Sequence, residues 1–85
     1  MAIVFIPPQL RKLTGAAEIE IEGGTVREVI EHMEQRFPGV KERLFTDGQL
    51  SPMLQLSVDH RMTRVVSTKV LPTTEIHFLP VIGGG

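Results

Sequence analysis

One stretch of the chain, Thr25 to Phe37, carries a sustained helical period, and that helix limits what the residues around it can form. Val26, Val29, Ile30, Met33 and Phe37 fall on one stripe, with Arg27, Glu28, Glu31, Glu34 and Gln35 on the other side. Thr25 and Glu28 have the spacing of a capping box: the Thr25 hydroxyl can accept from the Glu28 backbone N–H while the Glu28 carboxylate reaches back. Pro38-Gly39 ends the helix, and Val40 to Phe45 has room for one more helical turn before the turn-forming Thr46-Asp47-Gly48. The stripe is a core face rather than a cofactor box. With no second long helix to receive it, it must pack on a sheet.

The flanking runs supply that sheet. Ile3 to Ile6 is nearly all apolar and ends at Pro7-Pro8, which predicts a strand covered on both faces and placed centrally. Leu10 to Gly15 reads as a polar connection with two apolar anchors. Ala17 to Glu22 alternates strictly, sending Ile19 and Ile21 to one face and three glutamates to the other, as in a half-solvated strand. Beyond the helix, Met53 to Val58 alternates again with Leu54, Leu56 and Val58 on one face. Asp59-His60-Arg61 reads as a turn into a weaker strand around Met62 to Val66. After an irregular Thr68 to Thr74, Glu75 to Leu79 returns to β character.

The order is strand, strand, helix, strand, weak strand, strand. It predicts an α+β fold with one main helix packed across a mixed sheet, for which the ubiquitin-like β-grasp is the best-known closure. In that topology the last strand lies mid-sheet beside the first. The 85 residues read as one domain, 1–85, with a flexible glycine tail from 80 to 85. A chain this short buries only about 60–65% of the surface its unfolded form exposes.

Composition removes several function classes. Nine Lys and Arg against ten Asp and Glu give a net charge of −1, so no concentrated basic surface invites nucleic acid. Cysteine is absent, which excludes disulfides, thiolate catalysis and zinc-thiolate or iron–sulfur sites. The opening Met1 to Ile6 lacks a basic leader and is cut short by Pro7-Pro8, so neither a signal peptide nor a membrane span is expected, and a cytoplasmic location is. His32, His60 and His77 have no ligand-spaced partners, so no metal site is expected. No P-loop, GxGxxG or GxSxG is present.

What remains is the end, Phe78-Leu79-Pro80-Val81-Ile82-Gly83-Gly84-Gly85. Frayed termini are often glycine-rich, and that reading stands beside a functional one. Glycine lacks a Cβ, so such a backbone can thread a channel closed to side chains. From Pro80 onward it extends ~17–20 Å at ~3.3–3.6 Å per residue. With no side-chain constellation elsewhere, the Gly85 carboxylate is the candidate reacting group. A carboxylate must first be activated, most simply as an acyl-adenylate made by a partner enzyme with ATP. Sulfur or an amine can then attack it.

The residues resemble the β-grasp sulfur carriers, the family of the molybdopterin synthase small subunit and the thiamin-biosynthesis carrier. Within it the likeness is greatest to carriers serving cysteine biosynthesis, through Ile6-Pro7-Pro8-Gln9-Leu10-Arg11-Lys12-Leu13-Thr14-Gly15, Gly39-Val40-Lys41-Glu42-Arg43-Leu44 and the end from Leu79. Two turns depart from the family: Val58-Asp59-His60 stands where Val-Asn-Gly is frequent, and Pro72-Thr73-Thr74-Glu75 where an Asp-Gly-Asp turn is.

The resemblance implies a carrier rather than an enzyme, with no cofactor of its own. Gly85 would be adenylated by an ATP-dependent E1-like activating enzyme and thiocarboxylated, and would then donate sulfide to a sulfur-accepting synthase. Gly84 would allow close approach, and Gly83 would fill a small-residue position. Phe78, Leu79, Pro80, Val81 and Ile82 would contact partners, although alternation suits Ile76 and Phe78 equally to the core. Two other readings share the activation step: a ubiquitin-like modifier joined through Gly85 to lysines, and the small subunit of a molybdopterin synthase-type complex.

Overall fold

The computed structural model, which describes residues 1–81, opens with strand β1 (Ala2–Phe5), a 3-10 turn over Pro8–Leu10 and a single helical turn, α1 (Arg11–Thr14). Strand β2 (Glu18–Ile21) returns antiparallel to β1. Helix α2 (Val26–Arg36) follows, then the short α3 (Val40–Leu44) and a small hairpin of β3 (Phe45–Thr46) and β4 (Gln49–Leu50). Strands β5 (Leu54–Val58), β6 (Arg61–Thr63) and β7 (Glu75–Pro80) complete the chain.

The main sheet has the order β2-β1-β7-β5-β6. β7 runs parallel to β1 and antiparallel to β5, so the last strand is central and lies beside the first, as the β-grasp expectation requires. The hairpin β3–β4 was not foreseen, because strands of two residues are shorter than any pattern a period-2 reading can register.

One face of the sheet packs on α2. Val26, Val29, Ile30 and Met33 have no exposed surface and meet inward residues such as Val4, Ile21, Leu56, Ile76 and Phe78 in a single cluster. Each such side chain contributes about 1.5–3 kcal/mol when fully buried. The opposite face is open, which corrects the reading of β1: Ala2 and Val4 are buried, but Ile3 and Phe5 are only half-covered. The Leu10–Gly15 connection is likewise more ordered than expected, and the short helical turns bury Leu10 fully.

The helix start forms as its capping box predicts. The Thr25 hydroxyl accepts from the Glu28 N–H at 3.2 Å, and the Glu28 carboxylate reaches one residue further back to the Gly24 N–H, also at 3.2 Å. Two more first-turn donors, the N–H groups of Val26 and Arg27, are taken up by the carbonyls of Thr68 and Val66. The irregular stretch before β7 thus serves as the backbone cap of α2. Gly23 is packed so tightly here that a Cβ would lie 2.8 Å from the Val29 backbone nitrogen.

Candidate functional site

β7 determines how the chain's end is presented. Alternation turns Ile76 and Phe78 into the core and leaves Glu75, His77 and Leu79 half-covered on the open face. Phe78, expected among the partner contacts, is only 4% exposed and faces the helix, so it serves the core. Leu79 is half-buried, while Pro80 and Val81 are exposed. The strand stays paired to its last residue, with Leu54 opposite Pro80, and the Val81 N–H donates to the Met53 carbonyl at 2.9 Å. Ile82, Gly83, Gly84 and Gly85 lie outside the described residues.

Because β1 and β7 are parallel, both finish at the same end of the sheet. Pro7, Pro8 and Arg11 therefore sit beside Leu79, where a groove of about 450 Å³ is lined also by Phe5, Glu18 and His77. The Phe5 and His77 rings stack across the strand pair, 4.2 Å between centroids and 5° from parallel. They belong to a row crossing all five strands on the open face: Glu18, Phe5, His77, Ser57 and Met62. Arg11 is tethered in the groove by its Nε–H, which donates to the Ile6 carbonyl at 3.1 Å. Sequence reading gave Pro7-Pro8 as the end of a strand, Leu10 to Gly15 as a connection and Ile6 to Gly15 as part of the family likeness, without placing any of them beside Leu79. That position at the tail's exit follows from the parallel β1–β7 pairing, which no local pattern reveals. Met53 was missed for a related reason, since it contributes a backbone carbonyl.

The histidines have structural surroundings. The His32 Nδ1–H donates to the Glu22 carbonyl, 2.6 Å away; His60 occupies the β5–β6 turn; His77 is in the stack. Among the described residues no group of three or more His, Asp or Glu is placed to hold a metal ion. Two carboxyls are held below their ordinary range, each by turn contacts. Glu34 accepts from the Lys41 and Gly39 N–H groups, and Asp59 from the Glu75 N–H and the Thr74 hydroxyl. Neither lines the groove. No helix among the described residues is long and apolar enough to cross a membrane. The arrangement is suited to presentation: a rigid central strand ends at an exposed corner with one apolar groove beside it.

A profile of the ThiS family matches residues 4–85. The chain belongs to the ThiS family. This is the β-grasp sulfur-carrier family that its sequence resembles. A chain in the crystal structure of the Amycolatopsis orientalis BexX/CysO complex is similar to this ThiS-family chain, at 30% identity with a TM-score of 0.90 over 100% of both chains. CysO of Mycobacterium tuberculosis is 26% identical, with a TM-score of 0.89 over 96% of this chain and 100% of its own. The small archaeal modifier protein 1 of Methanosarcina acetivorans, at 22% identity and a TM-score of 0.82 over 99% and 95%, shares the fold. No curated protein matches the chain significantly.

Proposed function

We propose that this ThiS-family protein is a sulfur carrier whose reacting group is the Gly85 carboxylate. In the first step a carboxylate oxygen attacks the α-phosphorus of ATP on an E1-like activating enzyme, forming an acyl-adenylate and releasing pyrophosphate. Sulfide then adds to the activated carbonyl and expels AMP, leaving a terminal thiocarboxylate. A sulfur-accepting biosynthetic enzyme takes the sulfur, and water restores the carboxylate. Gly84 and Gly83 offer no side chain to obstruct entry into either partner. Leu79 beside the groove, Pro80 and Val81 at the end of β7, and Ile82 next in sequence are apolar residues available for contacts to those partners.

The observation that carries this reading is the central β7, paired through Pro80 and followed in sequence, after Val81 and Ile82, by three glycines in a ThiS-family chain. The likeness to CysO supports an acceptor in cysteine or related sulfur-metabolite biosynthesis. The BexX/CysO complex supports a separate protein as the partner that receives a chain of this kind.

Incubation with ATP, sulfide and a candidate activating enzyme tests the proposal by intact mass. The expected product has one oxygen replaced by sulfur and does not form from a chain lacking Gly84-Gly85. Persistent absence of that product, with no ATP–pyrophosphate exchange, would sink the carrier reading. Recovery of Gly85 in isopeptide linkage to lysines, without thiocarboxylate, would make the chain a modifier instead.

A further inference from the structure

Arg64 lies just past β6, where the sequence pattern assigns it no role. Its guanidinium donates to three backbone carbonyls: Leu50 at 3.2 Å, Ser51 at 3.4 Å, and Leu54. These acceptors bracket Met53, whose own carbonyl holds the Val81 N–H at 2.9 Å. The turn has other ties, with Leu54 N–H to the Ser51 carbonyl at 3.0 Å and Met53 N–H to the Ser51 hydroxyl at 3.2 Å. Among the described residues, Arg64 is the side chain whose hydrogen bonds reach carbonyls on both sides of Met53. A planar guanidinium with five N–H donors can serve several carbonyls at once, and a lysine ammonium at the same place cannot reproduce that fork.

We propose that Arg64 is a positioning residue for the acyl chemistry, acting through the 50–54 turn to fix the point from which the tail departs. The inference rests on the carrier reading above. A fixed departure point lowers the conformational cost of threading the residues beyond Val81 into a partner. Once the tail is seated, Arg64 has no further part. The expected signature of its loss is therefore weaker capture with unchanged chemistry.

Native-state hydrogen exchange and activation kinetics on Arg64→Ala and Arg64→Lys, in the full chain, test this. Val81 amide protection should fall by about tenfold or more in Arg64→Ala, as expected for loss of charge-assisted hydrogen bonds. Amides in the centres of β5 and β7 should keep their protection, which separates local loosening from unfolding. With the activating enzyme, KM for the carrier should rise about three- to tenfold while kcat stays within about twofold. Arg64→Lys, which retains the charge but not the planar fork, should fall between wild type and Arg64→Ala. It also gives the folded variant if Arg64→Ala is too unstable. Unchanged Val81 protection would overturn the staple, and lost protection with unchanged KM would overturn the positioning role. A wild-type chain that is never activated would sink the carrier reading and this role with it, while the exchange readout would still report on the staple.

Discussion

Asp59 and His60 occupy φ values of 50° and 71°, so the two-residue loop between β5 and β6 has positive φ at both positions. The hairpin of β3 and β4 makes the same type of turn with Asp47 at 52° and Gly48 at 78°. In one case the second residue is glycine; in the other it is histidine. A left-handed conformation costs a non-glycine residue roughly 1–2 kcal/mol, and glycine's extra freedom in the unfolded chain returns about 0.5–1 kcal/mol of that. His60→Gly should therefore stabilise the protein by about 0.5–1 kcal/mol, read as a higher denaturant midpoint at unchanged slope. A lower midpoint would show that His60 makes a contact outweighing its backbone strain. The turn at 59–61 was legible in the sequence, but its handedness was not, because the left-handed preference of aspartate and histidine is far weaker than that of glycine. Asp59 explains how the departure from the family's turns is tolerated. Its carboxylate accepts from the Glu75 N–H at 2.9 Å, and its own N–H donates to the Glu75 carbonyl at 2.9 Å. The start of β7 is thereby fixed without an Asp-Gly-Asp turn.

Between elements, the junction of α2 and α3 depends on Glu34. The helical period placed this residue on the solvent side of α2, and its side chain instead reaches past Pro38. It accepts from the Gly39 N–H at 3.2 Å and the Lys41 N–H at 2.8 Å, while the Lys41 ammonium pairs with Glu31. No spacing rule predicts this cap, because it requires Gly39 at φ 103° to turn the chain back toward α2. Hydrogen bonds to the ionised form lower the Glu34 pKa below its ordinary 4.5. A depressed carboxyl stabilises the fold above the unfolded-state pKa and loses that contribution as pH falls through the folded value. Stability should thus decline from about pH 4.5 downward. Glu34→Gln, which keeps an acceptor but cannot ionise, should flatten that decline by lowering the melting temperature at neutral pH, where the ionised carboxylate contributes, and converging with the wild type in acid. Asp59, also depressed, will leave some acid dependence behind. Melting temperatures between pH 3 and 7 would decide the matter, since equal acid slopes in both proteins would remove Glu34 as a contributor. The elements themselves were legible in proportion to length: α2 emerged within a residue of its ends, whereas β3, β4 and α1 are too short to carry a period.

Across the whole molecule, the sheet divides the chain into a buried half that holds the fold and an open half available to partners, and β7 contributes to both. Phe78 and Leu79 are neighbours in sequence but belong to opposite halves. The α+β class followed from one helix among short strands. The β1–β7 adjacency that brings the groove to the tail came from the topology expected of the fold, because it joins residues about as far apart in sequence as this chain allows. This division predicts different outcomes for two adjacent truncations. Phe78→Ala removes a side chain from a closed core and should cost about 3–5 kcal/mol. A domain of this size has a total stability of ~4–13 kcal/mol at ~0.05–0.15 kcal/mol per residue, so a sizeable unfolded population is expected. Leu79→Ala opens no cavity and should cost under about 1.5 kcal/mol, while raising KM with the activating enzyme because an apolar contact beside the tail is lost. Chemical denaturation and activation kinetics on the same pair of variants separate the two roles. If Leu79→Ala unfolds as readily as Phe78→Ala, the open face is part of the core. If it instead leaves KM untouched, the partner contact lies elsewhere on the molecule.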